Sequence, residues 1–222
     1  MTFSRRDWAQ RKSLIATRLA RGECDGGYGE AVLVLCAAIS AMAAEAWPGD
    51  RIDRRRFIEF LVRFSPGPVS VQTVSVPLLL GRLRDTNAAL EERAIRKAFA
   101  DVQPSRVLTG TDVDRSEAAI LAVCPGLALA LLREFSYANL IYQRVRSALT
   151  HEYRTGEKTV SFSMTGDDSA GVSYYNWVHD PDRHIYFHIP WLAALTTNLG
   201  GIADLQAPNF PLAFPATWWI NG

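Results

Sequence analysis

Apolar residues recur at helical spacing over positions 1–153, and the period changes to two after residue 158. The first pattern predicts a series of amphipathic or buried helices. The second alternates β-branched and aromatic residues between the turns GDDSAG and HDPDR, which predicts an antiparallel meander. We therefore expect a mainly α protein: a helical bundle over 1–157, with a small β-meander, a final helix and a Trp-rich tail over 158–222, packed together as one compact unit.

Prolines, glycines and capping residues delimit the predicted helices. The expected set is an amphipathic first helix carrying Trp8, Leu14, Ile15 and Leu19, a core helix over 30–46, a helix capped by Asp53, one from Pro77 through Leu83, one over 90–100, a short one capped by Asp114 or Ser116, and a long one from Pro125 to His151 or Tyr153.

The expected strands cover 159–164, 172–178 and 184–189, and the last helix covers 190–199. The tail ends in Thr217-Trp218-Trp219-Ile220. Two adjacent tryptophans left in solvent would form an apolar patch, so we expect them to dock into the parent fold or into a partner subunit.

Composition places the chain among ordinary soluble proteins, with 222 residues, 48% hydrophobic and 21% charged. Three cysteines without a CxxC pair are typical of a reducing compartment, and the basic N-terminus lacks the apolar run of a signal peptide, so we expect a cytoplasmic protein. The longest apolar stretch, 118–132, is interrupted by Pro125 and Gly126 and is too short for a membrane span.

Charge is distributed unevenly along the chain. Residues 1–158 contain 23 basic and 18 acidic side chains, a net charge of +5, whereas the remainder contains one basic and five acidic, a net charge of −4. A cationic face on the helical part would suit a polyanion such as RNA, and a solvated charged surface explains the same numbers.

One short motif carries candidate chemistry: Arg146-Ser147-Ala148-Leu149-Thr150-His151, at the end of the long predicted helix. It follows Ile141-Tyr142-Gln143-Arg144-Val145, an apolar helix AVLVLCAAISAM and a helix RRRFIEFLVRF. In this order of elements, over most of 30–153, the chain resembles the HEPN superfamily, whose helical domains carry an R-x4-6-H motif near the end of a late helix.

The resemblance implies a homodimeric ribonuclease or toxin-like defence effector that cleaves RNA through the ribose 2′-hydroxyl and needs neither metal nor cofactor. His151 would act in acid–base catalysis and Arg146 would stabilise phosphoryl charge, with Arg144 and Ser147 as further phosphate- or RNA-binding residues. Catalytic members often carry Asn or another strongly polar residue after the arginine, where this chain has Ser147. A non-catalytic HEPN-like module that binds nucleotide, RNA or a protein partner is therefore the alternative.

Helix geometry separates the two motif residues. At roughly 100° per residue, Arg146 and His151 project about 140° apart, whereas Arg144 lies about 20° from His151. One straight helix cannot direct Arg146 and His151 at one phosphate, so we expect either that the helix ends near Leu149 or that two subunits form a composite cleft.

Two other interpretations stay open. Arg144 and Arg146 can pair with Glu134, with Glu152 or with a neighbouring helix while His151 caps a carbonyl at the helix end. The segment His179-Asp180-Pro181-Asp182-Arg183-His184, with His188, suits either a β-turn with exposed strand histidines or a metal site. Because His184 and His188 are roughly 13 Å apart along a strand, we favour the turn and expect no metal.

Overall fold

The computed structural model describes residues 4–65, 71–99, 107–162, 171–177 and 180–220. It is mainly helical with a small three-stranded antiparallel sheet, which confirms the predicted fold class at that level. The helices are α1 (Arg5–Ala20), α2 (Tyr28–Ala46), α3 (Asp53–Phe64), α4 (Val76–Asp85), α5 (Ala89–Phe99), α6 (Gly110–Val113), α7 (Glu117–Val123), α8 (Leu129–Glu134), α9 (Tyr137–Leu140), α10 (Ala148–Glu152) and α11 (Ile189–Gln206).

The first helix packs through small residues rather than through its large aliphatic ones. Ala9, Ser13 and Ala16 are buried against α2 and α11, and Ser13 Oγ donates to the Ala193 carbonyl at 2.9 Å. Leu14 and Ile15 are 59% and 44% exposed, so the predicted apolar face is wrong there. Two helices can approach closely only where their contacting side chains are small. The spacing of apolar residues in α1 does not show which face of the helix packs against α2 and α11.

The last helix extends seven residues beyond its predicted end. Gly200 does not stop it, because this glycine forms the contact with α1: a Cβ there would lie 2.8 Å from the Arg5 carbonyl oxygen and 2.9 Å from Ala9 Cβ. A pair of glycines that looks like a helix terminus is thus a helix–helix contact.

Helix α2 forms the centre of the core, with Leu35, Ile39 and Met42 almost fully buried. It packs against α1, α3 and α11. Its length and composition would also allow it to cross a membrane, but half of its most apolar window is buried inside the fold. A helix that is apolar on every side and enclosed by other helices is typical of the core of a soluble protein.

The predicted long helix from Pro125 to Tyr153 is interrupted, and that part of the prediction is wrong. It breaks between α8 and α9 at Phe135 and Ser136, where Ser75 N–H donates to the Phe135 carbonyl at 2.9 Å. The Ser136 side chain then caps α9. Beyond Leu140 the backbone stays right-handed helical through a π-helical segment, Ile141–Ser147, and into α10.

The sheet has the order β1-β2-β3, formed by β1 (Leu108–Thr109), β2 (Val172–Trp177) and β3 (Asp180–Phe187). The predicted strand over 159–164 is wrong for its described part, 159–162, because only Lys158 and Val160 exchange backbone hydrogen bonds with Ile185. Residues 163, 164 and 178 lie outside the described residues. The third strand comes instead from β1, which is too short to produce an alternating pattern.

The C-terminal tail docks on its own subunit. Trp219 N–H donates to the buried Glu59 carboxylate at 2.7 Å, and Arg133 Nη1 donates to the Trp219 carbonyl at 2.6 Å. Trp47 Nε1 donates to the Ala213 carbonyl at 3.1 Å. The first of the two docking alternatives, the parent fold, is the arrangement observed.

A buried carboxylate joins the helices to the sheet. Asp114, 6% exposed, accepts hydrogen bonds from the Tyr137 hydroxyl, from the Val76 N–H at 3.0 Å and from the Tyr174 hydroxyl at 2.6 Å. Tyr174 also lies 2.8 Å from Ser75 Oγ. Asp114 therefore does not cap α7, a role that Ser116 performs. Burial raises the pKa of Asp114 to about 7, although these hydrogen bonds counteract the increase.

Asp114→Asn should change how stability depends on pH. An aspartate titrates near pH 4 when unfolded and Asp114 titrates near 7 when folded, so the folded state binds the proton more tightly and loses stability as pH rises between these values. Since the variant lacks this titration, its free energy of unfolding relative to wild type should improve by up to roughly 1.4 kcal/mol per pH unit in that window. Urea unfolding from pH 5 to pH 7 measures the difference; a constant difference would contradict the assignment.

Candidate functional site

The helical run that follows Leu140 carries the predicted site residues. Arg144 and Ser147 lie in the π-helical segment and His151 lies in α10, one residue before its end. π-helical turns are rare and are enriched at functional sites. Arg144, Ser147 and His151 all line one open groove of about 660 Å³.

The loop over 154–157, which follows α10 and folds back against the helix, forms the other wall of this groove; we call it the return loop. Gly156 N–H donates to the Arg144 carbonyl at 2.6 Å, and the Arg144 guanidinium donates to the Glu157 carbonyl. Gly156 approaches so closely that an added Cβ would lie 2.9 Å from both Arg144 Cα and the Arg144 carbonyl oxygen. The groove is lined by Gln143, Arg144, Ser147, Ala148, His151, Glu152, Arg154, Thr155, Gly156 and Glu157.

Arg144 is a half-buried cation that pairs with no carboxylate among the described residues. Burial lowers its pKa, and the charge of Glu157 only partly offsets the effect. Within the described ranges no carboxylate lies within ion-pair distance of its guanidinium, and its side-chain hydrogen bond is to a neutral carbonyl. A guanidinium has five N–H donors in a fixed planar arrangement, so donors are left for a ligand in the groove.

His151 is exposed on the wall of the same groove. In the part of the chain that the structure describes, its ring makes no hydrogen bond or ion pair, so the alternative in which it caps a carbonyl is not the arrangement observed. Glu152 pairs instead with Arg154, at 2.9 Å. The imidazole is thus available to solvent and to a ligand.

Arg146 projects to a different side of the helix. Its guanidinium lies over the Tyr142 ring, 5.0 Å from the ring centroid, with Nη1 3.4 Å from the Tyr142 hydroxyl. The charge of Arg146 also acts on the buried Cys36 thiol. Burial raises the pKa of Cys36, the charge of Arg146 opposes this increase, and the resulting value is about 12. Within one subunit the structure therefore brings His151 together with Arg144 and Ser147, and not with Arg146.

A second, smaller groove of about 320 Å³ lies on the other side of Arg144. It shares Gln143, Arg144 and Glu157 with the first groove, and the charged residues that it adds are Arg82, Lys158, Asp85 and Glu134. The sequence interpretation missed Gln143, Glu157 and Arg82. Gly156, a glycine shortly after the predicted end of the long helix, was the sequence signal that could have indicated this wall of the groove.

The segment 179–184 and His188, the candidate metal site of the sequence, make structural contacts where the structure describes them. His188 is fully buried and its Nε2 lies 2.8 Å from Ser173 Oγ, so the expectation of an exposed strand histidine is wrong at this position. The Asp182 carboxylate pairs with Arg84 and Lys158. Burial raises the pKa of Asp182, but these two hydrogen bonds outweigh it and hold the value below its usual range.

Among the described side chains, no three His, Cys, Asp or Glu groups come together to hold a metal ion. His179, part of the same segment, lies outside the described residues. The turn interpretation also changes in detail, because β3 begins at Asp180 rather than at His184.

Comparison with known proteins adds nothing to this geometry: no family model, no curated protein and no solved structure matches the chain.

Gly156→Ala should distort the groove. The new methyl group would meet backbone atoms of Arg144, which cannot move aside as a flexible side chain would. Overpacking of this kind typically costs about 1–3 kcal/mol in the free energy of unfolding, measured here by urea denaturation. Gly126→Ala is the matched control, because a Cβ there meets nothing within 4 Å. Equal stabilities for the two variants would contradict the close approach.

Proposed function

We propose that the groove between α10 and the return loop binds a phosphodiester of RNA, and that the protein is a metal-independent endoribonuclease. The observation that carries the proposal is the half-buried Arg144 guanidinium, which has no carboxylate partner in the described chain and faces the same groove as the unengaged imidazole of His151. A desolvated guanidinium with free donors favours an anion of matching geometry, and a phosphate provides one.

The chemistry that these side chains support is attack of a ribose 2′-oxygen on the adjacent phosphorus. The 2′-O–P bond forms, the P–O5′ bond breaks, and the products are a 2′,3′-cyclic phosphate and a 5′-hydroxyl. His151 removes the 2′ proton as the general base, a role that histidine side chains commonly perform. Arg144 stabilises the charge that develops on the non-bridging oxygens, with Ser147 as a further donor, and water protonates the leaving 5′-oxygen. No metal or cofactor takes part.

Arg146 enters this proposal only through a second subunit. Since it lies over Tyr142 and outside the groove, it would reach a phosphate only in a cleft between two copies of the chain. We accordingly propose a homodimer in which Arg146 of one copy faces His151 of the other. The HEPN resemblance supports this arrangement, and the buried Cys36 and Cys124 suit a reducing cytoplasm.

The second candidate function is a non-catalytic module that binds nucleotide, RNA or a protein partner at the same groove. One observation favours it: no side chain in the described residues orients the His151 ring. Catalytic histidines are usually held in position by a hydrogen bond to a third group.

Cleavage of a fluorescent single-stranded RNA in excess EDTA tests the proposal. His151→Ala should lower the rate by roughly 100-fold or more, since general acid–base catalysis contributes at least that much. Arg144→Ala should lower both the rate and the affinity. Arg18→Ala is the control: this arginine pairs with Glu23 on the surface near the end of α1. Wild-type binding without cleavage would favour the module, and His151→Ala activity equal to wild type would contradict the mechanism.

Mixing inactive variants tests the composite cleft. If Arg146 of one copy serves His151 of the other, Arg146→Ala and His151→Ala proteins should each be inactive alone. Mixed after reversible dissociation, they should recover part of the wild-type rate, because one of the two clefts in a mixed dimer is intact. Light scattering should give twice the 24.6 kDa chain mass. A full rate for Arg146→Ala alone would remove this residue from the site.

A further inference from the structure

Tyr153 has a backbone conformation that its residue type does not favour. It follows α10 directly with φ 55° and ψ 24°, in the left-handed helical region. There the Cβ of an L-residue crowds the following carbonyl oxygen, and glycine is the residue most often found at this position after a helix. A tyrosine here is less favourable to folding than a glycine would be.

Packing does not account for this tyrosine. Its side chain is 90% exposed. In the described chain the ring makes no aromatic contact and the hydroxyl makes no hydrogen bond. Non-glycine residues in the left-handed conformation cluster at active sites and ligand-binding sites, which indicates a requirement other than stability.

The position of Tyr153 relative to the groove suggests that requirement. Tyr153 is not among the residues that line the groove, but its neighbours Glu152 and Arg154 are, so its exposed side chain lies next to the groove. The base of a nucleotide extends away from its phosphate, so a phosphate bound between Arg144 and His151 would leave its base free to meet an aromatic ring beside the groove. Aromatic side chains next to a phosphate-binding groove are the usual means by which proteins hold the unpaired bases of single-stranded RNA.

We propose that Tyr153 is a stacking platform for a nucleobase, so that the substrate is single-stranded RNA with an unpaired base beside the bound phosphate. This inference rests on the proposed function of the groove. It adds a specificity-determining residue outside the Arg and His pair: stacking accepts every base and favours the larger purine surface.

Binding of uncleavable oligonucleotides tests the platform. The probes are fluorescent 2′-O-methyl hexa-adenylate and hexa-uridylate, whose blocked 2′-oxygens cannot attack. Fluorescence anisotropy should show tighter binding of the adenylate to wild type. Tyr153→Gly should weaken adenylate binding roughly 5- to 100-fold and abolish the purine preference, and Tyr153→Phe should retain both. The melting temperature of Tyr153→Gly should not fall, because glycine accepts the left-handed conformation.

The outcomes separate the two proposals. If Arg144→Ala weakens binding of both probes while Tyr153→Gly binds like wild type, the groove binds RNA and the platform is wrong. If neither probe binds to wild type, the function proposed for the groove fails and the platform fails with it. If Tyr153→Gly changes the elution volume in size-exclusion chromatography while its affinity is unchanged, Tyr153 contacts another protein chain, which also overturns the platform.

Discussion

The buried Asp114 carboxylate is the contact through which helices and sheet are held in register. It receives hydrogen bonds from β2 through Tyr174, from α9 through Tyr137 and from the first turn of α4 through the Val76 N–H. A buried carboxylate is costly unless its oxygens are satisfied, so these elements cannot separate without exposing an unpaired group. Gly110 belongs to the same arrangement, because a Cβ there would lie 2.1 Å from the Tyr137 hydroxyl.

The candidate site depends on Asp114 indirectly, through Tyr137. Tyr137 fixes the start of α9, and the continuous helical run beyond it carries Arg144 and His151. At its far end the run is fixed by Gly156, which hydrogen-bonds the Arg144 carbonyl, and by Glu157, which accepts from the guanidinium. The helical run that forms the groove is therefore fixed at both ends: by the hydrogen bond between Tyr137 and the buried Asp114 in the core, and by the contacts of the return loop with Arg144 at the surface.

Those constraints explain why Arg144 occupies the groove while Arg146 does not. Two residues apart on a helix, the arginines project to different sides, and only Arg144 shares a side with His151. Helical spacing alone predicted that relation, and the groove confirms it. The ranking of Arg146 above Arg144 came from the family resemblance, and within one subunit the geometry favours Arg144.

Local patterns in the sequence determined the elements whose cause is local. Pro77 near the start of α4, Ser116 as the cap of α7 and the apolar character of α2 each depend on neighbouring residues alone. The helical class, the small sheet and the shared face of Arg144 and His151 follow from the same patterns.

Tertiary contacts decided the rest. The strand that pairs with β2 on the side away from β3 is β1, which is two residues long. The outer face of α1 carries Leu14 and Ile15, and the helix break falls at Ser136. Each of these results from a contact between residues far apart in the chain. A glycine can end a helix or allow another helix to pack closely against it, as Gly200 does with α1. Which of the two occurs depends on the element that packs opposite the glycine, and the neighbouring residues in the sequence do not specify that element.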